Sequence, residues 1–252
     1  STPEQERSVS FSPDGRTILY ASERGQSWDL FTTSLVRKEE KYFFNATLLK
    51  EEALLSTPAE EFQCAYSPDG KEVAYLEERT ALRVLNLATK QTRVIVPGNK
   101  NYSYSDGDQW YQWSPDSKWF VVNFLHDKQW IGQVGLVNAS GKDAVVNLTR
   151  SGYGGYTPRW AMEGKAIVYM SDRDGQKNHA SWGGESDAYA IFLTQEAFDK
   201  FKMTKEEAAL AKEEEEKKDE GKDEKDGKKA PADKKDKGEK KEEVKPLKIE
   251  LE

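Results

Sequence analysis

Phe11-Ser12-Pro13-Asp14-Gly15, followed by Arg16-Thr17-Ile18-Leu19-Tyr20, decides the fold of this chain because it returns. The second copy is Tyr66-Ser67-Pro68-Asp69-Gly70 ahead of Val73-Ala74-Tyr75, and the third is Trp113-Ser114-Pro115-Asp116-Ser117 ahead of Phe120-Val121-Val122. A worn fourth reads Trp160-Ala161-Met162-Glu163-Gly164 ahead of Ile167-Val168-Tyr169. Counted from the residue after the aromatic, the intervals are 55, 47 and 47 residues. Each intact copy is a hairpin turn in which Pro presets φ, Asp tolerates the bridge region and Gly takes a positive φ. Ser117 stands where the first two copies have Gly, at an expected cost of about 1 kcal/mol if the left-handed conformation is kept. Periods of roughly 40–50 residues holding several short strands mark propeller blades.

The segments between the turns supply the remaining strands by alternation and by β-branched or aromatic content. Expected strands lie at 8–11, 17–21, 28–35 and 48–56, then at 62–66, 72–77, 82–88 and 92–96. The third set is 109–113, 119–124, 132–138 and 144–148, and the fourth is 156–160, 166–170 and 187–193. The fourth set lacks its last strand until 244–251, Val-Lys-Pro-Leu-Lys-Ile-Glu-Leu, at the far end of the sequence. The expected fold is therefore all-β: a β-propeller sector of four four-stranded antiparallel blades, at about 8–56, 62–96, 109–149 and 156–251. Four blades can close in some folds, but blades of this length usually make rings of about six to eight. The sector is expected to expose apolar blade faces at both cut edges, as part of a longer protein.

Residues 195–243 then form an insertion in the outer hairpin of the last blade. Its start has helical character, with Phe198 and Phe201 three apart and a capping box, Thr204-Lys205-Glu206-Glu207, ahead of Ala208-Ala209-Leu210-Ala211. Residues 212–243 hold 12 Lys and 14 Asp or Glu, too little apolar surface to offset the entropy of ordering, so this run is expected to be disordered. A smaller insertion, 36–47, occupies the same place in the first blade.

The net charge of −7 comes without a basic stripe, which argues against nucleic acid as a partner. No stretch approaches the roughly 18 apolar residues of a membrane helix. The one cysteine, Cys64, excludes an internal disulfide and reads as a buried thiol on the strand leading into Tyr66.

The repeat aromatic-Ser-Pro-Asp-Gly-Lys/Arg-x-Ile/Val-x-Tyr, with the link Ser56-Thr57-Pro58-Ala59-Glu60-Glu61-Phe62 before its second copy, resembles the propeller repeat of the Tol-system and tricorn-type proteins. Ser171-Asp172-Arg173-Asp174-Gly175, His179-Ala180-Ser181-Trp182-Gly183 and Ser186-Asp187-Ala188-Tyr189 are similar to the second propeller of bacterial, Bacteroidetes-type tricorn-like serine peptidases. The Thr194-Gln195-Glu196-Ala197-Phe198 helix start and the Lys/Glu-rich insert fit the same comparison. That resemblance implies a non-catalytic propeller that scaffolds and gates access for peptides or unfolded protein. It implies further blades, a peptidase domain elsewhere in the parent, homo-oligomers of that parent, and an extracytoplasmic location. A Tol-type interaction scaffold and a prolyl-oligopeptidase-type cap remain open alternatives.

Within the chain no catalytic residue, cofactor or metal site is expected. His126 sits in a polar turn and His179 in the 176–186 loop, without a Gly-x-Ser-x-Gly elbow. Asp172-x-Asp174-Gly175 and Asp106-Gly107-Asp108 contain calcium-type oxygens but do not continue as an EF-hand loop, and paired Asp with Gly is ordinary turn chemistry. The candidate binding residues are Tyr102, Tyr104 and Trp130, aromatic residues in loop contexts that either line a peptide-contacting rim or pack within their loops.

Overall fold

A computed structural model describes residues 3–105, 107–126, 130–176, 184–213 and 245–251. The chain divides into two compact units, Ser1–Ile191 and Phe192–Glu252. The first unit carries the repeats. Its first sheet runs β1 (Glu6–Phe11), β2 (Thr17–Arg24), β3 (Ser27–Leu35) and β4 (Leu49–Leu55). The second runs β5 (Glu61–Tyr66), β6 (Glu72–Glu77), β7 (Ala81–Asn86) and β8 (Thr92–Val96). The third runs β9 (Tyr111–Trp113), β10 (Trp119–Leu125), β11 (Gly132–Asn138) and β12 (Val146–Asn147). The fourth holds β13 (Gly155–Ala161), β14 (Ala166–Ser171) and β15 (Asp187–Phe192). Every pairing in the first three sheets is antiparallel and between sequence neighbours. This is the meander of a propeller blade.

The turn motif is built three times on one plan. In the first copy the Ser12 hydroxyl donates to Asp14 Oδ1 (2.6 Å) and accepts Thr17 N–H (2.9 Å), while Asp14 Oδ1 also accepts Arg16 N–H (3.0 Å). Ser67 and Asp69 repeat this with Glu72 and Lys71, and Ser114 and Asp116 with Trp119 and Lys118. The Ser12 hydroxyl and then Arg16 N–H hold the Asp14 carboxyl below its usual range. For Asp69, burial works the other way and is outweighed by Ser67 and Lys71. Ser117 does adopt φ of 60°, beside 69° and 72° at Gly15 and Gly70, and its hydroxyl accepts Asp69 N–H from the neighbouring blade (3.1 Å).

Ser67 is fully buried, so Ser67→Ala is expected to cost about 1–3 kcal/mol by leaving Glu72 N–H without its side-chain acceptor. The same change returns Asp69 toward 3.8. A folded pKa held below the unfolded one contributes stability above about pH 4 that is lost as pH falls; an NMR titration of Asp69 in the variant checks the shift.

A second repeat was not visible in the sequence. The first strand of three blades carries a bulge with a residue at positive φ: Ser8 (57°), Gln63 (48°) and Thr157 (45°), each at a shift in register. Each sits four residues before the motif Ser or its replacement. The bulge carbonyls receive the next blade: Cys64 Sγ donates to Ser8 C=O (3.5 Å), and Tyr111 hydroxyl donates to Gln63 C=O. Cys64 is thus a buried hydrogen-bonded thiol, its pKa pushed up to about 12 by burial. Two motif tryptophans dock alike, Trp113 Nε1 onto Ala65 C=O (3.4 Å) and Trp160 Nε1 onto Gln112 C=O (3.2 Å). Asn123 joins the last two blades by donating to Gly155 C=O (2.6 Å) and accepting Thr157 N–H (3.1 Å). The buried core runs through these contacts, from Leu19 and Leu30 through Val73, Tyr75 and Val84 to Phe120 and Val122.

Several expected strands are shorter than their sequence implied. The last strand of the third blade covers only 146–147 of 144–148, with one further bond from Leu148 N–H to Val134 C=O (2.9 Å), before the Asn147 side chain accepts Thr149 and Arg150 N–H and turns the backbone away. Residues 109–110 stand outside β9. In place of a fourth outer strand over 244–251, residues 245–251 carry no regular strand; Pro246 has no N–H to give. One ladder-type bond is nevertheless made within the second unit, Glu250 N–H to Leu193 C=O (2.8 Å).

The second unit is helical at its start. Helix α1 (Gln195–Lys202) is capped by Thr194, whose hydroxyl accepts Ala197 N–H (3.2 Å). Phe192 packs against Phe198 and Phe201, with ring centroids 5.4 and 5.0 Å away. Residues 205–213 are helical, and the expected capping box forms: Thr204 accepts Glu207 N–H (3.2 Å) while Glu207 accepts Thr204 N–H (2.8 Å). The charged run expected to be disordered lies outside the described residues from 214 to 244.

Candidate functional site

Antiparallel blades send alternate connections to opposite ends. The Ser-Pro-Asp-Gly turns share one end; the β8–β9, β10–β11 and β12–β13 connections share the other. The long β8–β9 connection is held by Asp108, which accepts Ser103 hydroxyl (2.8 Å), Tyr104 N–H (2.6 Å), Ser105 N–H (3.1 Å) and Gln109 Nε2 (3.1 Å). Burial opposes its ionisation, but the Ser105 and Tyr104 N–H groups and the Ser103 hydroxyl outweigh it and hold the carboxyl below its usual range. Gln109 Nε2 also donates to Tyr102 C=O (2.7 Å), and Gln63 Nε2 ties Gln109 C=O to the second blade (2.8 Å). Asn101 donates to Thr80 C=O (2.9 Å). The oxygens of Asp108 therefore serve the loop, as turn chemistry implied; Asp106 lies outside the described residues.

That scaffold presents Tyr102 and Tyr104, and the β10–β11 connection brings Trp130 to them. Tyr102 meets Tyr104 at 4.7 Å between centroids and 70°, and Trp130 at 5.1 Å and 78°. Both are edge-to-face arrangements, which aromatic quadrupoles favour. Instead of sinking into the core, the three remain 48 %, 84 % and 72 % exposed for Tyr102, Tyr104 and Trp130. All three candidate residues thus converge on one projecting cluster.

The same end of the blades also carries a cleft of about 410 Å³ lined by His126, Gln133, Asn147, Arg150, Ser151 and Gly152. Its floor is firm: buried Gln133 accepts Thr149 hydroxyl (2.9 Å) and Ser151 N–H (3.0 Å) through Oε1. His126 and Ser151 share this cleft, but Ser151 Oγ accepts Tyr153 N–H (3.1 Å), and among the described residues no hydrogen bond joins it to His126. The arrangement suits binding through apolar ring faces and hydrogen bonds, without the nucleophile–base–orienter chain that acyl transfer needs. The cleft is not legible in the sequence because its residues come from two connections, β10–β11 and β12–β13, and from strands β11 and β12. His179 lies outside the described residues.

The fold can now be placed among known ones. Among solved structures the chain is similar to TolB from Acinetobacter baumannii, at 18 % identity and a TM-score of 0.51, covering 77 % of this chain and 44 % of that one. It is also similar to the tricorn protease, at 15 % identity and a TM-score of 0.54, covering 77 % of this chain and 18 % of that one. No family model matches the sequence, nor does any curated protein. The fold is a tricorn/TolB-type β-propeller sector. The chain spans less than half the length of either structure.

Proposed function

We propose that this chain is the non-catalytic propeller part of a tricorn-like serine peptidase, a scaffold and gate for peptides or unfolded protein. The observation that carries this reading is the exposed cluster of Tyr102, Tyr104 and Trp130, gathered from two connections at one end of the blades. Rigid amphipathic rings bind unstructured chains with little entropy to lose. Open apolar positions on the outermost blades, Val9 and Phe11 on β1 and Tyr156 and Met170 on the fourth sheet, fit a sector flanked by further blades. The peptidase domain, assembly of the parent and an extracytoplasmic location belong to the same proposal; no helix among the described residues is long and apolar enough to cross a membrane.

The test is hydrolysis of unstructured fluorogenic peptides by this chain beside the longest protein that contains it, with a Ser→Ala control in any peptidase domain. Turnover by the longer protein alone is the expected result. Turnover by this chain would make it an enzyme in its own right, through His126, His179 or another group. Turnover by neither would replace the peptidase reading with a TolB-like interaction scaffold.

A further inference from the structure

Glu61, the first residue of β5, is fully buried at 0 % exposure, and Asp29 of β3 is 7 % exposed. The two belong to adjacent blades and lie next to Phe62 and Trp28, whose rings pack across the same interface at 5.6 Å. Thr57 hydroxyl donates to Glu61 Oε1. The other oxygen, Glu61 Oε2, and Asp29 Oδ1 are both buried without a hydrogen-bond donor. Two ionised carboxylates cannot share such a place, since each buried orphan acceptor and each unpaired charge is strongly disfavoured. The Glu61 and Asp29 carboxyls lie within hydrogen-bonding reach of each other, so one proton held between them serves both.

Among the described residues no surrounding cation is hydrogen-bonded to either orphan oxygen. Glu77 of β6 stands directly opposite Glu61 in the ladder, and its Oε1 accepts a hydrogen bond from Arg83 Nη1 (2.7 Å). The guanidinium groups of Arg7 and Arg79 lie over the rings of Trp28 and Phe62, each 5.2 Å from the centroid. Glu78 accepts Glu60 N–H at the outer margin (3.2 Å).

We propose that Glu61 and Asp29 share one proton across the interface of the first two blades, and that losing this proton loosens their packing. Burial, opposed by the Thr57 hydroxyl and reinforced by the charges of Asp29 and Glu77, pushes the Glu61 carboxyl up to about 7. The folded pKa lies above the unfolded value of 4.5, so the folded state binds the extra proton. The stabilisation is complete below about pH 4.5, falls as pH rises, and is gone above about pH 7. One linked proton changes the unfolding constant by at most about tenfold per pH unit, about 300-fold over that window.

Urea unfolding of the intact protein and of Glu61→Gln at pH 5, 6, 7 and 8 tests this. The glutamine amide donates to Asp29 at every pH. The ratio of wild-type to variant unfolding constants is expected to rise steeply from pH 5 to 7 and level off at 8. A pH-independent ratio overturns the proposal. A ¹³C NMR titration of the Glu61 carboxyl in the unmodified protein tests the shared proton without a variant: an inflection near 7 supports it, and one near 4.5 overturns it.

Discussion

Trp113→Ala is expected to lower the stability of the propeller unit by about 3–5 kcal/mol, while Phe11→Ala, at the same place in the repeat, costs under about 1 kcal/mol. Both residues close the first strand of a blade ahead of Ser-Pro-Asp. Trp113 is 6 % exposed, its ring 4.0 Å from Phe120 and its indole N–H on the Ala65 carbonyl of the blade before. Phe11 has no described blade before it and is 57 % exposed; its one ring contact among the described residues is Phe43, at 6.0 Å. The difference therefore measures inter-blade packing with the turn chemistry held constant. Against a typical total of about 5–15 kcal/mol, the tryptophan loss brings the unit near unfolding. Trp113→Phe keeps most of the ring and removes one hydrogen bond, for about 1 kcal/mol. Urea denaturation of the three variants settles the order; equal costs for Trp113→Ala and Phe11→Ala would show that the blades do not pack through this position.

The contrast also explains what sequence could and could not reveal. The turns were legible because their chemistry is local: Ser12, Asp14 and Gly15 satisfy one another within five residues, and the spacing did the rest. The bulges at Ser8, Gln63 and Thr157 were not, since Ser, Gln and Thr share no side-chain signature and the conformation serves a carbonyl that meets the next blade. The third blade has Trp110 at this position, and there the indole N–H reaches Pro158 C=O instead (2.7 Å). The rim residues were legible as types, aromatic residues without a strand to occupy. That Tyr102 and Trp130 touch depends on a loop shaped by Asp108, whose carboxylate looked like any turn Asp. Glu61 stood in the link already quoted as part of the repeat. Its burial against Asp29, 32 residues earlier, follows only once β3 and β5 are packed.

Removing the rim is expected to have the largest functional effect. Tyr104→Ala combined with Trp130→Ala strips the two more exposed rings of the cluster and leaves Tyr102, which contacts both. Neither ring is in the buried core, so stability is expected to change by under about 1 kcal/mol. Stacking and burial of peptide side chains on two rings contribute about 1.4–2.8 kcal/mol together, which is a 10- to 100-fold weaker dissociation constant. Fluorescence anisotropy of a labelled, unstructured peptide rich in Phe and Leu reads this directly, with circular dichroism of the double variant as the folding control. Unchanged affinity in a folded variant would remove the rim from the proposed gate. Asp108→Asn separates presentation from contact: it keeps all three rings but weakens the carboxylate that accepts Tyr104 and Ser105 N–H. If the rings act as an ordered platform, this variant also weakens binding, by a smaller factor than the double alanine change. If the rings act only as apolar surface, it binds like the unmodified chain.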